Sequence, residues 1–337
     1  MHCELYRKST NVAPQLWFAD LRELRASGAL MNRSNRLKTI AGLACGVVLF
    51  CTLNSRAGTV LGTVCTSVIY WHIKGFGDTF TPTTNSPTNS PAGYLTDAGT
   101  NYSFIYKGLP QPAWVLNPYQ DGTTWNGYPA IALEIHPTGT PLPANDDGTD
   151  KANIAVGYLP ITQDSYYGFS MMLGNFGVPN VDILLAQWWQ GVPYSPPLSL
   201  DMVPGSTTFA CEMQIRNNTT GSYPNENVIH VPVGTCPPGQ WQQFVVYARP
   251  HFLGAPGTGE VKVWHNNMTT PVVDWTGDVG YNPSAAVTTG PPQGTALPST
   301  NWTMYFGPYG DHDTINRQTY WANIAIASTR EGANPNQ

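Results

Sequence analysis

Residues 260–265 read Glu-Val-Lys-Val-Trp-His, and this stretch indicates the fold class. Successive side chains of a β-strand point to opposite faces, so the odd-numbered residues here, which include both valines, share one face. The even-numbered residues, which include the glutamate and the lysine, share the other. We therefore expect a strand with one buried face and one face in contact with solvent.

Further runs of this kind recur along the chain between residues 102 and 326, and most are bounded by Gly, Pro, Asn or Asp. No 11-residue window has convincing helical periodicity. A long series of short strands separated by turn residues is typical of an all-β sandwich. The sequence therefore predicts an all-β protein, a concanavalin-like β-jelly roll made of two curved antiparallel sheets.

The composition supports this fold and excludes several functions. The chain has 337 residues, with 33 Gly, 30 Pro and only 11% charged residues, whereas roughly 25% is usual for soluble proteins. Coiled coils and helical bundles need charged outer faces, and nucleic-acid binders need a surplus of Lys and Arg. We therefore expect no nucleic-acid partner.

The basic residues are concentrated at the N-terminus, where residues 1–57 hold eight of the 16 Lys and Arg. Three of these precede a 15-residue apolar run at 39–53, and Ser-Arg-Ala follows at 55–57. This pattern predicts a signal peptide that begins at Met31 and is cleaved near Ala57, whereas a membrane span would need about 20 apolar residues. We expect a secreted, extracellular protein without a membrane anchor after cleavage.

The mature chain is expected to begin with an N-terminal strand and a Pro/Thr-rich loop at 58–100, followed by one large domain at 101–337. Its net charge is −10, from eight basic and 18 acidic residues in 58–337. Three cysteines remain after cleavage. Export permits a disulfide, for which we choose Cys211 and Cys236 and leave Cys65 as a thiol.

Several tryptophans stand beside amides, as in Gln-Trp-Trp-Gln at 187–190. Aromatic faces stack on sugar rings, while amides and carboxylates bind sugar hydroxyl groups. The set of aromatic residues therefore favours a carbohydrate-binding groove, although any single tryptophan could instead belong to the core.

Four segments carry the candidate functional residues. The strand at 132–136 projects Glu134 and His136 on one face, and the strand ending at 190 projects Gln187 and Trp189 on one face. The strand ending at 310 brings Tyr309 to the rim of a sheet, and Arg317 begins the final strand. A buried structural pair is the alternative interpretation of Glu134 and His136.

In their order along the chain, these segments resemble the jelly-roll polysaccharide lyases, a group that includes glucuronan lyases, heparin lyase I and similar alginate lyases. The Arg-x-Glu, Gln-x-His and Tyr-Phe-Lys-x-Gly-x-Tyr elements of that group correspond here to residues 132–134, 187–189 and 303–309. The resemblance covers roughly residues 100–330. Two functional positions differ, since Ala132 replaces the arginine and Trp189 replaces the histidine.

The resemblance implies a lyase that cleaves a uronic-acid-containing polysaccharide by β-elimination and requires no cofactor. Tyr309 would be the base and also the acid, and Gln187 and His136 would bind the substrate carboxylate. Because the ordinary pKa of tyrosine is near 10, Tyr309 would need a neighbouring cation such as Arg317 or His312. The other substrate-binding residues implied by this interpretation are Glu134, Trp188, Trp189, Tyr305 and Arg317.

Two other functions are compatible with the same residues. A glycoside hydrolase acting on a neutral glycan needs two carboxyl groups across a groove, and Glu134 could pair with Glu212 or Asp201. A non-catalytic, lectin-like protein would keep the aromatic groove alone. The net charge of −10 also opposes a polyanionic substrate, because such substrates are normally attracted by a positive groove.

An oxygen-rich turn at 145–150 carries Asp146, Asp147 and Asp150. Carboxylate oxygens are preferred ligands of Ca²⁺, so these residues are candidates for a structural calcium site, although an ordinary solvated loop is the alternative. A polysaccharide is the expected partner, and we expect a monomer.

Overall fold

The computed structural model describes residues 67–73, 80–82, 92–97, 100–107, 120–135, 149–191, 195–217, 227–252, 255–284, 298–311 and 315–336. The predicted signal peptide and Cys65 lie outside these residues. The described residues form strands and one helical turn: β1 (Ile69–Ile73), β2 (Phe80–Pro82), β3 (Ala92–Asp97), β4 (Thr100–Lys107), β5 (Thr124–Trp125), β6 (Tyr128–Pro129), β7 (Ile131–Ile135), β8 (Thr149–Pro160), β9 (Ser165–Phe176), β10 (Ile183–Trp189), β11 (Leu198–Met202), β12 (Ala210–Asn217), β13 (Asn227–Thr235), β14 (Trp241–Arg249), β15 (Gly259–His265), β16 (Val273–Gly277), β17 (Asn301–Asp311), β18 (Arg317–Ala327) and α1 (Arg330–Ala333). Within these ranges no helix is long and apolar enough to cross a bilayer.

The strands form two large antiparallel sheets. A seven-stranded sheet has the order β1-β18-β9-β14-β15-β16, with β7 also paired to β18, and a nine-stranded sheet has the order β13-β12-β11-β10-β17-β8-β4-β3-β2. The short β5–β6 hairpin stands apart from both. Consecutive strands often lie in different sheets, as β9 and β10 do, which is the arrangement of a jelly-roll sandwich. The predicted fold class is confirmed.

The core lies between the two sheets and is rich in aromatic rings. Phe169 stacks on Phe244 with ring centroids 5.2 Å apart, and Trp321 contacts Phe169 at 5.3 Å and Phe306 at 5.1 Å. Each of these side chains is fully buried. Burial of one such side chain stabilises the fold by about 1.5–3 kcal/mol, so this aromatic cluster holds the sheets together.

The alternation at 260–265 is confirmed, with one addition. Val261 and Val263 are fully buried in the core, while Lys262 forms an ion pair with Glu260 on the opposite face. Trp264 lies on that same opposite face but is only 6% exposed. Trp264 is less exposed than Glu260 and Lys262 because α1 packs onto this face. The guanidinium of Arg330 in α1 lies 5.4 Å from the Trp264 ring centroid.

The strands that precede residue 101 belong to the sandwich itself. β1 pairs with the end of β18 in the seven-stranded sheet. β2 and β3 extend the nine-stranded sheet through β4. Within the described residues, both sheets therefore include strands from the segment 58–100, and the boundary at residue 101 remains a prediction.

The two cysteines chosen for a disulfide lie next to each other. Cys211 is in β12, Cys236 follows β13, and both are buried. Their sulfur atoms are 2.8 Å apart and both residues are free thiols. A covalent bond between them remains a prediction.

Gly307 has a backbone conformation and an environment that only glycine fits. Its φ is +115°, and a Cβ atom there would lie 2.1 Å from the carbonyl oxygen of Ala152 and 2.7 Å from Cδ1 of Leu133. The carbonyl oxygen of Gly307 also accepts a hydrogen bond from the Asn153 amide at 2.7 Å. This residue lies between Tyr305 and Tyr309, so it determines how the second half of β17 is directed.

We expect the Gly307→Ala substitution to lower the free energy of unfolding by more than about 3 kcal/mol, because strain at φ and a collision with backbone act together. Gly205→Ala is the matched control, since Gly205 has a φ of +71° but no atom within 4 Å of its Cβ position. That control should lose only about 1–2 kcal/mol. Urea unfolding of both variants measures the difference, and equal losses would contradict the predicted collision.

Candidate functional site

The face of the nine-stranded sheet that points away from the core carries four of the candidate residues, Tyr309, Tyr305, Gln187 and Trp189, and we call it the polar face. Cross-strand register arranges its side chains in two rows. The first row crosses β8, β17, β10, β11 and β12 and contains Lys151, Tyr309, Leu184, Asp201 and Glu212. The second row crosses the same strands and β13 and contains Ala155, Tyr305, Gln187, Ser199, Gln214 and His230.

A β-bulge in β10 determines which side chains reach this face. The register of β10 shifts between Leu184 and Ala186 against both neighbouring strands. Because a bulge inserts one extra residue, it changes the alternation of the side chains that follow it. Gln187 and Trp189 consequently lie on the polar face, as the sequence predicted, while Trp188 turns into the core.

Gln187, Tyr305 and Trp189 form one aromatic-amide group. Gln187 lies directly opposite Tyr305. The rings of Trp189 and Tyr305 meet edge to face, with centroids 5.8 Å apart. Burial raises the pKa of Tyr305, so its hydroxyl remains protonated at neutral pH. The group combines an amide, a phenol and a half-exposed indole, which are the side chains that bind sugars.

Tyr309 lies on the same face with a cation beside it. It is paired with Lys151 of β8 on one side and with Leu184 of β10 on the other. The ammonium nitrogen of Lys151 lies 5.4 Å from the centroid of the Tyr309 ring. This distance is within the range of a cation–π contact. Lys151 is therefore a basic residue next to Tyr309 that the sequence analysis did not single out.

The end of β10 is held in place by the buried side chain of Gln190. Its amide nitrogen donates to the carbonyl oxygens of Tyr281 at 2.7 Å and Ser299 at 2.9 Å. Its amide oxygen accepts from the backbone N–H of Tyr281 at 2.9 Å. These bonds tie three separate chain segments together next to Trp189. Their effect is to fix the position of the adjoining indole.

Three carboxyl groups lie near one another on the polar face: Asp201 in β11, Glu212 in β12 and Asp182, which immediately precedes β10; we call them the acidic cluster. Asp201 and Glu212 lie directly opposite each other. Asp201 is fully buried, and neither of its carboxyl oxygens has a hydrogen-bond partner among the described residues. Burial raises the pKa of Asp201 to about 7, although the nearby Arg216 and Ser199 act in the opposite direction. Burial and the charge of Glu212 also raise the pKa of Asp182.

Two basic side chains border the acidic cluster. His230 contacts Glu212 through Nδ1 at 2.6 Å. The guanidinium of Arg216 donates to the carbonyl oxygen of Pro196 at 3.1 Å and to the Ser199 hydroxyl at 3.2 Å, and it also binds the Gln214 amide oxygen. These three hydrogen bonds hold the Arg216 guanidinium beside β11 and β12.

Trp188 does not lie where the sequence interpretation placed it. Its indole is fully buried in the core and meets the ring of Tyr167 edge to face at 5.3 Å. A polysaccharide on the surface cannot reach it. The assignment of Trp188 as a substrate-binding residue is therefore wrong, because the strand alternation that exposes Gln187 and Trp189 turns Trp188 inward.

Glu134 and Arg317 also lie away from the polar face. β7 joins the seven-stranded sheet, where Glu134 is opposite Gln318 on the outer face, on the other side of the sandwich from Tyr309. Arg317 is opposite Ile135 and Phe176, both core residues, and is 1% exposed. Glu134 and Arg317 were both expected to bind the substrate, and Arg317 was also expected to supply a cation to Tyr309. These expectations are wrong, because neither residue lies on the polar face. The hydrolase pairing of Glu134 with Glu212 or Asp201 is also wrong, since these residues lie on opposite faces.

The remaining expectations are tested little or not at all. His136, His312, Asp146 and Asp147 lie outside the described residues. Asp150 is 2% exposed and pairs with Gly310 in β17. In the part of the chain that is described, no group of three His, Cys, Asp or Glu residues could hold a metal ion. The calcium site remains a prediction.

Three residues of the polar face were missed by the sequence analysis. Lys151 follows a polar stretch, whereas Asp182 and His230 are single polar residues within apolar runs, and none of the three belongs to a recognisable motif. Strand alternation could have grouped Lys151 with Asn153. Only the pairing of β8 with β17 places Lys151 next to Tyr309.

No family model matches the chain, and no curated protein matches it. The similar solved structures are polysaccharide lyases. An endo-β-1,4-glucuronan lyase from the fungus Trichoderma reesei is 15% identical, with 80% of this chain and 100% of that chain covered and a TM-score of 0.45. An alginate lyase from Klebsiella pneumoniae is 9% identical, with 59% and 81% covered and a TM-score of 0.39. An exolytic alginate lyase from Zobellia galactanivorans is 7% identical, with 66% and 86% covered and a TM-score of 0.40.

The buried Asp201 predicts a specific dependence of stability on pH. Its pKa is about 7 in the folded protein and near 3.9 in the unfolded chain. Between these values the folded state binds the proton and the unfolded state does not, so stability falls as pH rises from about 4 to 7, by about 4 kcal/mol from this group.

We therefore expect the Asp201→Asn variant to match the wild type near pH 4 and to be more stable above pH 7. Urea unfolding across this range measures the effect. Asp274→Asn is the control, because the Asp274 side chain is 60% exposed on the other sheet. If the free energy of unfolding of Asp201→Asn and of the wild type changed with pH in the same way, the raised pKa of Asp201 would be contradicted.

Proposed function

We propose that this protein is a secreted polysaccharide lyase that cleaves a uronic-acid-containing polysaccharide by β-elimination on the polar face. The observation that carries the proposal is the placement of Lys151, Tyr309, Tyr305 and Gln187 on one face of three adjacent strands. These residues provide a cation, two phenols and an amide on one surface, with the Trp189 ring beside them.

The reaction needs three steps at one sugar: neutralisation of the carboxylate, removal of the C5 proton and protonation of the departing O4. In the proposed mechanism, Lys151 and the Gln187 amide bind the uronate carboxylate, which makes the C5 proton more acidic. Tyr309, as the phenolate, removes that proton. The electron pair of the C5–H bond forms the C4–C5 double bond, the C4–O4 bond breaks, and the proton on Tyr309 passes to O4.

At two positions this chain lacks a functional residue of the lyase pattern, and we propose that side chains on the polar face take over the missing functions. The arginine position is Ala132, and the histidine position is Trp189. Lys151 supplies a positive charge next to Tyr309, and the Trp189 ring supplies a stacking surface for a sugar. His136 keeps its proposed role as a ligand of the substrate carboxylate, although it lies outside the described residues.

Loss of the Tyr309 hydroxyl should stop elimination and leave binding intact. We expect Tyr309→Phe to lower kcat at least about 100-fold, as removal of an acid–base group does, while substrate affinity changes by no more than a few-fold. The assay is the ultraviolet absorbance of unsaturated uronate ends on glucuronan, alginate and heparin-type polymers. Tyr166→Phe, on the opposite sheet, is the control and should retain activity. Equal turnover in Tyr309→Phe would refute the mechanism.

Removal of the Lys151 charge should move the pH dependence of the reaction. A nearby cation favours the phenolate form of a tyrosine, so Lys151→Met should shift the rising limb of kcat/KM to higher pH. Lys262→Met is the control, because Lys262 lies on the other sheet and pairs with Glu260 at 2.6 Å. An unchanged pH profile with normal folding would show that Lys151 does not act on Tyr309.

A second candidate function is favoured by one observation. Asp201 and Glu212 face each other on adjacent strands, with a pKa of about 7 for Asp201 and a histidine beside Glu212. A glycoside hydrolase uses one carboxyl group with a raised pKa as the acid and a second carboxyl group near it as the base or nucleophile. Release of reducing ends from a neutral glycan, without unsaturated ends and with loss in Glu212→Gln, would support hydrolysis. Binding without any cleavage would support a lectin-like protein.

A further inference from the structure

The pairing of β17 with β10 is irregular directly before Tyr309. Between the pairs that Phe306 and Tyr309 make with β10, two residues of β17 lie opposite a single residue of β10. The two residues are Gly307 and Pro308. An extra residue of this kind is left unpaired in the ladder, and Pro308 also has no N–H group to donate. The ladder with β10 alone therefore does not fix the backbone that leads to Tyr309.

The side chain of Asn153 in β8 provides hydrogen bonds to this segment. Its amide nitrogen donates to the carbonyl oxygen of Gly307 at 2.7 Å and to that of Pro308 over a longer distance of 3.4 Å. Asn153 lies on the polar face between Lys151 and Ala155, because strand alternation turns the residues between them into the core. It is nevertheless only 2% exposed. Since buried polar groups are costly without partners, these bonds hold the amide and both carbonyl groups in place.

The bonds of Asn153 act on the backbone of Tyr309. The carbonyl group of Pro308 and the nitrogen of Tyr309 belong to one planar peptide group, so the contact at 3.4 Å restricts that plane directly. Lys151, two residues before Asn153 in β8, is paired with Tyr309 and lies against its ring. One strand thus provides the cation beside the phenol and the amide that fixes the backbone carrying it.

We propose that Asn153 is a positioning residue for Tyr309. Its amide holds the peptide group before Tyr309 in the orientation that directs the phenol at C5 of the bound uronate. Asn153 takes no proton in the reaction and acts only through this backbone. A base must lie within hydrogen-bond reach of the proton that it removes, and a misplacement of about 1 Å can lower the rate about 100-fold. This inference rests on the proposed function insofar as Tyr309 is the base.

The first test is kinetic and uses the full-length protein with the uronate polymer that the wild type cleaves. We expect Asn153→Ala to lower kcat at least about tenfold while KM changes by no more than about twofold. Asn323→Ala is the matched control and should keep the wild-type kcat. Asn323 lies on the opposite sheet, is 3% exposed, and its amide also donates to a proline carbonyl group, that of Pro335.

A second variant separates hydrogen-bond donation from packing. Asn153→Asp keeps the size of the side chain, but an ionised carboxylate only accepts hydrogen bonds and would face two carbonyl oxygens. The protonated carboxyl group can still donate. We therefore expect kcat of this variant, relative to the wild type at the same pH, to be lower at about pH 8 than at about pH 5. A role in packing alone would give a ratio that does not change with pH.

A third measurement follows Tyr309 without any reaction. In protein labelled with carbon-13 at the tyrosine Cζ atoms, the nuclear magnetic resonance signal of Tyr309 is the one missing from Tyr309→Phe. We expect this signal to shift in Asn153→Ala and to stay in place in Asn323→Ala. A wild-type kcat in Asn153→Ala, an equal loss in Asn323→Ala, or an unmoved Tyr309 signal would overturn the inference. Absence of elimination by the wild type on every uronate polymer would refute the proposed function separately, while the Tyr309 signal would still decide whether Asn153 positions that residue.

Discussion

The antiparallel pairing of β10 with β17 is the constraint on which the site depends. It places Gln187 opposite Tyr305 and Leu184 opposite Tyr309, so two strands that are distant in sequence present one surface. The bulge after Leu184 turns Gln187 outward and Trp188 inward, and Gly307 directs the segment that ends at Tyr309. The core and the polar face are therefore two results of the same register.

The sandwich gives this register its rigidity. Trp188, Phe306 and Trp321 fill the space beneath the polar face and are fully buried. Gln190 fixes the end of β10 through hydrogen bonds to Tyr281 and Ser299. Side chains placed on paired strands and supported in this way lose little conformational entropy when a ligand binds, which favours the proposed alignment of a base, a cation and an amide on one sugar.

Charge on the polar face is arranged across the strands. Lys151 lies at one end of the first row and Glu212 at the other, with the buried Asp201 beside Glu212. A chain with a net charge of −10 over residues 58–337 therefore still has a positive charge beside Tyr309, where the proposed function requires the uronate to bind. The overall charge describes the whole molecule, whereas recognition depends on the few charges within one Debye length of the substrate.

Much of the fold followed from local sequence, and much of the site did not. Strand alternation predicted the sandwich and the shared face of Gln187 and Trp189, because a period of two is a local property. The same alternation indicates that Trp188 points inward, which the assignment of both tryptophans to the substrate overlooked. The sheet that Glu134 joins depends on pairing with β18, and the contact of Lys151 with Tyr309 depends on pairing of β8 with β17. These pairings are long-range, and no local pattern encodes them.

The most direct test of the central claim, that the polar face is where a uronate is bound for elimination, is a crystal structure of the Tyr309→Phe variant with a bound uronate oligosaccharide. The predicted result is a sugar ring against Trp189, with its carboxylate within hydrogen-bond distance of Lys151 and Gln187 and its C5 atom facing residue 309. An oligosaccharide bound instead on the outer face of the seven-stranded sheet, near Glu134, would contradict the claim.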